Sequence, residues 1–458
     1  MFPTTPPKVL HLYRRNAPKR APCPHCGTQG TRKGFHDRTV RGIAYHAILL
    51  VHVTTAEYRA ACPCCVTFRT QIDGIEPKAQ YSNAVREAVL DRLLDDHMSL
   101  QRVQASLQRD FFLDLSAGFV YDCLRWKVQQ LDLAEHRRWT LQAFSGTLCI
   151  DEIHLGELAL LLATDPVQDF PVAFAVVSAN DQEHMGRFLR QLRDHGFAPQ
   201  VVVTDGSSLY PVLLAQVWPQ AQHQLCVFHL LQDSNAKVLD ALRRLRRQLG
   251  RRGRKRRPGR RANPRRGPTA KDKAHFVFKH RYLIVRRRDQ LTQREQKDLQ
   301  LLLEYLPALR ELRRFVDQMH NLLERSQTLT QAWQRYQALQ HDAAFAAIPE
   351  LAGVLQGLTA EKFGKVVAFL RGPAGERVRT NNHVERANRD LRHYEKVRYG
   401  WRTARGLVRF VVLVVERRWR ERLRVCAPQL FSPAGVSQGA GVEQPAASVQ
   451  PRSGQRAA

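Results

Sequence analysis

The stretch TLCIDEIH (147–154), with LALLLATD (158–165) and FPVAFAVVSA (170–179) after it, decides how this chain is read. Each is an apolar run of strand length, and only short breaks separate them, so three successive strands are expected. A helical stretch, NDQEHMGRFLRQLRDHG (180–196), comes next, followed by VVVTDG (201–206), a second helical stretch SSLYPVLLAQVW (207–218), and HQLCVFH (223–229). Three strands, helix, strand, helix, strand is an α/β order in which an antiparallel meander feeds parallel strands. Two acids stand at informative places in it. Asp151 lies inside the first strand, and Asp205 ends VVVTD where the next helix begins.

That element order is the order of an RNase H-like fold. A third acid sits far downstream in TNNHVERANRDLRHYEK (380–396), where Glu385 precedes arginines at 386, 389 and 392. Locally, Asn382 as N-cap with Glu385 three residues on resembles a capping box, and a helix's first turn favours negative charge. Asp205 likewise reads as a cap at a strand–helix turn, and Asp151 as a partly buried structural acid. Taken together, the three acids match what phosphodiester chemistry needs, because two divalent ions roughly 4 Å apart require shared carboxylates. Magnesium keeps waters and takes few protein ligands, so three acids suffice. Arg389, Arg392 and Lys396 could then hold the scissile strand by its phosphates. Glu152 adjoins Asp151, while Asp390 and Glu395 lie beyond Glu385, and each is a candidate to replace a member of the triad. Strand alternation sends Asp151 and Glu152 to opposite faces, so only one of them should reach the metals.

The composition agrees. The chain has 458 residues and 43% hydrophobic content, enough for several domains with their own cores. Its 72 Lys and Arg against 42 Asp and Glu leave a net charge of +30, which points to a polyanion. No apolar run approaches the roughly 18 residues of a membrane span. The N-terminal MFPTTPPKVLHLYRR has Pro and Arg where a secretory signal needs an apolar stretch. Nine cysteines in such a chain are better read as metal ligands or core residues than as disulfides.

Cys23, Cys26, Cys62 and Cys65 form two C-x-x-C pairs, the spacing by which two knuckles present four thiolates to one zinc. GIAYHAILLVHVTTAEYRA between them reads as strand material for a zinc ribbon. Cys64 competes for the fourth place, and Cys65 is preferred because it completes the spacing. From Tyr81 to about Leu133, three amphipathic segments suit a helix-turn-helix whose last helix, starting at Ser116, would enter a major groove, although any small bundle looks the same. After His229 a long helical region is interrupted between Arg243 and Arg266 by 14 Lys or Arg with no acid, a block normally solvated and able to contact phosphates. The final segment is rich in Pro, Ala, Gly, Ser and Gln and reads as disordered.

CIDEIHLG, VVTDGSSLY, QLCVFHLLQD and TNNHVERANRDLRHYEKVRYGWRT, in this order after CPHC, resemble prokaryotic insertion-sequence transposases of the DDE type. The resemblance covers most of residues 20–420 and implies a multidomain α/β protein. Residues 1–76 would be a zinc ribbon and 77–138 a helix-turn-helix. An RNase H-like core would occupy 139–232 and 375–426, split by an all-α insertion at 233–374 that carries the Arg-rich segment 243–266, with a disordered tail at 427–458. The family's catalytic acids map to Asp151, Asp205 and Glu385, holding Mg (or Mn), with Zn in the ribbon. Arg386, Arg389, Arg392, Lys396 and Arg402 would contact DNA. Cys226 and His229 match a C-x-x-H found after the fifth strand in related transposases, read here as a structural or DNA-positioning pair because only two ligands are visible. The resemblance further implies double-stranded DNA as partner (element ends and target), a homodimer or larger assembly, no membrane association, and a cytoplasmic, nucleoid-associated location.

Overall fold

A computed structural model of the protein describes residues 6–62, 64–251, 267–372, 378–398, 401 and 403–426. The expected tail at 427–458, Arg402 and most of the Arg-rich segment lie outside the described residues.

The chain opens with a curled five-stranded sheet built from β1 (Lys8–Asn16), β2 (Arg20–Pro22), β3 (Gln29–Arg41), β4 (Ala47–Cys62) and β5 (Cys65–Arg69). Strand β1, which the sequence did not announce, runs parallel to the first half of β4, and β5 pairs antiparallel with its second half. Among the described residues, the apolar clusters buried here are two small groups, Val40, Val51, Val53, Ile72 and Ile75, and Ala21, Ala56 and Tyr58. So little apolar core is the usual mark of a module that needs a metal staple.

Four helices follow: α1 (Asn83–Leu94), α2 (Leu100–Phe111), α3 (Ala117–Val128) and α4 (Leu133–Ala143). Ser99 and Ser116 cap α2 and α3 by accepting the Arg102 and Phe119 N–H groups, so α3 starts where the sequence placed it. Helix α3 buries Val120, Cys123 and Leu124 and leaves Tyr121 and Arg125 exposed.

The second sheet contains β6 (Thr147–Leu155), β7 (Leu158–Asp165), β8 (Phe170–Val177), β9 (Val201–Thr204) and β10 (Gln222–Leu225), in the order β10-β9-β6-β7-β8. Strands β6, β7 and β8 form the antiparallel meander, and β9 and β10 add in parallel, an arrangement consistent with an RNase H-like core. Helices α5 (Gln182–Asp194) and α6 (Tyr210–Val217) cover one face, packing Phe188, Leu189 and Leu214 on Leu148 and Ile150.

From Cys226 the chain departs into helices: α7 (Val227–Arg251), α8 (Ala270–Lys279), α9 (Gln293–Tyr305), α10 (Leu309–Leu322), α11 (Leu329–Gln340), α12 (Ala343–Ala346), α13 (Pro349–Gly357) and α14 (Ala360–Val366). They enclose a core of their own around Leu302, Leu312, Phe315, Phe345 and Phe363. The basic block is therefore regular at its start: α7 continues through Arg251, with Arg244 forming a two-point bridge to Glu350 at 2.8 Å. The chain then returns as α15 (Asn382–Arg398) and α16 (Ala404–Cys426). Val384, Leu391, Leu407 and Phe410 of these helices cover the second face of the sheet over Cys149, Ile153 and Leu160, in one core with α1, α2 and α3.

Candidate active site

The face alternation of β6 sorts its acids. Leu148 and Ile150 point to the α5 and α6 side, while Cys149 and Ile153 point to the α15 side. Asp151 belongs with the second set, where it accepts a hydrogen bond of 2.8 Å from Asn388 Nδ2 on α15. Glu152 goes the other way, taking hydrogen bonds from Asn180 Nδ2 at 2.8 Å and from the buried Tyr210 hydroxyl at 2.5 Å. Of this adjacent pair, the structure turns Asp151 toward α15 and occupies Glu152 elsewhere, as alternation requires.

Asp205 follows β9 directly. The parallel register pairs Cys149 with Val203, and two more residues along both strands bring Asp205 beside Asp151. One Asp205 oxygen accepts from the Ser207 N–H at 2.9 Å, closing the turn before α6 begins at Tyr210. Its capping partner is thus in the loop and not in the helix, which leaves the other oxygen available.

Glu385 is carried by the first turn of α15. The helix begins at Asn382, so the cap position falls on Asn381 and not on Asn382 as the sequence pattern suggested. The Asn381 carbonyl accepts the Glu385 N–H at 3.2 Å. The Asn381 side chain, fully buried, donates to the Ile150 carbonyl at 3.0 Å and so ties the start of α15 to the strand residue next to Asp151. His229 Nε2 stands 3.5 Å from Glu385 Oε1, and that oxygen has no hydrogen-bond partner.

The electrostatics point to one shared locus. Burial pushes the Asp151 carboxyl up to about 7, with the negative neighbours Glu152 and Asp205 adding to it and Asn388 opposing. His229 is raised to about 9, first by its hydrogen bond to Cys226, then by the charges of Cys226, Glu385 and Asp205. Asp151 feels Asp205, and His229 feels both Asp205 and Glu385, so Asp151 and Asp205 are neighbours and the His229 cation links Asp205 to Glu385. Carboxylates gathered at such cost are a mark of a functional site.

Beyond Glu385, the exposed residues Arg389, Arg392 and Lys396 follow at four, seven and eleven positions, which keeps them on one helical face for roughly 16 Å. Arg386 is exposed as well and approaches Asp169 at 3.8 Å. The opposite stripe, Val384, Ala387, Leu391 and Tyr394, is buried. Of the acids weighed against Glu385, Asp390 is engaged by Arg418, and Glu395 lies about 15 Å further along the axis.

In the first sheet, Cys23 and Cys26 flank a tight knuckle: the Gly27 N–H donates to the Cys23 carbonyl at 2.9 Å, and Gly27 takes a left-handed φ of +74°. Cys64 Sγ lies 3.2 Å from Cys26 Sγ and 3.5 Å from Cys23 Sγ, so these three thiols could hold a metal ion. Cys62 and Cys65 are backbone register partners on either side of Cys64, and their side chains lie outside the described residues. Cys64, which the spacing rule set aside, joins the cluster because it occupies the turn between β4 and β5, where it reaches toward the other knuckle.

Two residues of the site escaped the sequence reading. Asn388 shares a helical face with Glu385 at three-residue spacing, and an asparagine facing inward on so polar a helix was the available signal. Asn381 was hidden by its twin at 382.

No curated protein matches the chain. A family model of the DDE type, ISL3 group, described as "Transposase", matches residues 148–409, more than half of the chain. That span starts in β6 and ends in α16, taking in all three acids and the whole helical insertion between them; with the sheet order and the converging carboxylates, it establishes that the chain belongs to the DDE-type transposase family.

Proposed function

We propose that this chain is a DNA transposase that binds the ends of its own insertion sequence, nicks the DNA by metal-dependent hydrolysis, and joins the resulting 3′-hydroxyl to target DNA. The observation that carries the reading is that β6 and β9 set Asp151 beside Asp205, while the returning α15 brings Glu385 to His229, which feels the charges of both Asp205 and Glu385. The donor set fits hard divalent ions: it offers three carboxylates, of which Asp151 is raised by burial and by its negative neighbours, and Glu385 Oε1 makes no hydrogen bond and faces His229 at 3.5 Å. When bound there, Mg (or Mn) would stabilise charge on the attacking and leaving oxygens. The chain's own residues do the positioning. Asn388 fixes one Asp151 oxygen, Oδ2. Arg386, Arg389, Arg392 and Lys396 offer a row of phosphate contacts leading away from Glu385. Water is the first nucleophile and the 3′-hydroxyl the second, so no covalent enzyme intermediate is needed.

The curled sheet would take zinc on Cys23, Cys26 and Cys64, with Cys62 or Cys65 as fourth ligand, and with α1–α3 would recognise the element's ends. Joining two ends to a target calls for a dimer or larger assembly on double-stranded DNA, in the cytoplasm at the nucleoid. The test incubates the purified protein and Asp205→Asn with Mg²⁺, labelled DNA from both flanks of its gene, and a supercoiled target. Joined products from the wild type alone support the proposal. Cut but unjoined DNA indicates a nuclease, and tight binding without cutting in Mg²⁺ or Mn²⁺ indicates a DNA-binding regulator.

A further inference from the structure

We propose that Cys226, His229 and Glu385 form a second metal site, selective for a borderline-soft divalent cation of the zinc class, whose occupation withdraws Glu385 from the acidic site. The sequence offered only a C-x-x-H pair, two ligands where a zinc needs more. The structure supplies the third. Cys226 directly precedes α7 and His229 lies in its first turn, so three-residue spacing brings both side chains to one side, where the first turn of α15 delivers Glu385. The ligand atoms of all three lie within 4.8 Å of one another.

One of these distances is informative. His229 Nε2 and Glu385 Oε1 are 3.5 Å apart, and the Glu385 oxygen makes no hydrogen bond. Two ligands on a tetrahedral zinc, each about 2.1 Å from the ion, stand about 3.4 Å from each other. The gap, now spanned by an ion pair, is also wide enough for two groups around an ion. The thiol is held in place too: Cys226 is buried, and the Asn381 N–H donates to its sulfur at 3.2 Å, which fixes the sulfur beside the start of α15. A thiolate and an imidazole select zinc-like ions and reject magnesium. Three protein ligands with one position left to water form a recognised zinc arrangement.

Glu385 then belongs to two donor sets, one hard and one soft, and a single carboxylate oriented toward one is lost to the other. Zinc would thus inhibit catalysis. This competition rests on the two-metal reading of the active site; the binding of the soft ion does not.

The test titrates metal-stripped full-length protein with Co²⁺, following thiolate-to-cobalt charge-transfer absorption and uptake. It compares the wild type with Cys226→Ser and His229→Asn, folding being checked by circular dichroism. Because the cysteines of the first sheet also bind cobalt, the result is read as a difference. The wild type is expected to take up one equivalent more than either variant, with a matching loss of charge-transfer intensity in Cys226→Ser, and Zn²⁺ should displace that equivalent. In His229→Asn the affinity of this equivalent should fall about tenfold or more. Should Cys226→Ser fail to fold, His229→Asn carries the comparison. Equal uptake and identical spectra in all the chains overturn the proposal. In excess Mg²⁺, low Zn²⁺ should also suppress nicking by the wild type. A chain that shows the cobalt difference but never nicks DNA upholds the metal site and refutes only the catalytic reading.

Discussion

Replacing Asn381 with alanine tests how the third acid is held in place. The Asn381 side chain is fully buried, and its Nδ2 donates to the Ile150 carbonyl at 3.0 Å. Alanine leaves that carbonyl buried without this donor, which costs about 1–3 kcal/mol. At about 2–4 °C per kcal/mol for a folding unit of 150–250 residues, the melting temperature of the catalytic unit should drop by roughly 4–8 °C for a mid-range loss. Its neighbour provides the control. Asn382 is exposed, and Asn382→Ala should stay within about 0.5 kcal/mol of the wild type, as surface substitutions do. The assay is denaturant unfolding of both variants side by side, followed by nicking of flank DNA at a temperature where both are folded. Asn381→Ala should also nick more slowly than Asn382→Ala, because Glu385 sits one turn beyond the lost tether. Equal stabilities for the two variants, or a larger loss in Asn382→Ala, would restore the capping box written in the sequence and refute the tether.

Arg389→Ala and Arg392→Ala should each reduce the slope of log binding constant against log salt concentration by about 1 without changing sequence preference, read by fluorescence anisotropy across a salt series. Acid should destabilise the fold through two half-buried histidines. Burial pushes both His136 and His223 down to about 4, so each is neutral in the fold and protonated in the unfolded chain between about 4 and 6.5. Stability from this source is complete above about pH 6.5 and falls as pH drops toward 4; at pH 5 each histidine costs about 2 kcal/mol. His136→Gln, which cannot protonate, should lose less stability between pH 7.5 and pH 5 than the wild type in urea unfolding.

The strand and helix order from 147 to 229 could be read from the sequence because its apolar runs have strand length and its helices are strongly periodic. Asp151 and Asp205 were legible for the same reason, since their positions follow from element boundaries. Glu385 was legible only through resemblance, as nothing local separates it from a helix-capping acid. What stayed hidden depends on tertiary contacts. Asn388 and Asn381 are neutral residues whose roles exist only once α15 lies on β6. Cys64 reaches the other thiols because of where the β4–β5 turn sits, which no spacing rule encodes. Strand β1 alternates too weakly to announce itself, being exposed along nearly its whole length. Helix α4 went unnoticed because its contacts with the core, through Trp139, Leu141 and Ala143, gather at its last turn and make no stripe along its length.

The helical insertion leaves the sheet at Cys226 and comes back at Arg379, and the two ends are joined where they meet. The Val227 N–H donates to the Arg379 carbonyl at 2.9 Å, and the Asn381 N–H to the Cys226 sulfur at 3.2 Å. Just before this, Gln224 on β10 bonds the Val366 carbonyl and the Phe369 N–H, sealing the free edge of the sheet. Departure and return are thus a single fixed point, and the first turn of α7 is the part of the path that touches Glu385, through His229. Lengthening such a path costs little in loop entropy, and this one already has its own core. Beyond that first turn the insertion is therefore an interchangeable part: over evolution or by design its outer helices can be extended, trimmed or replaced while the contact between His229 and Glu385 stays.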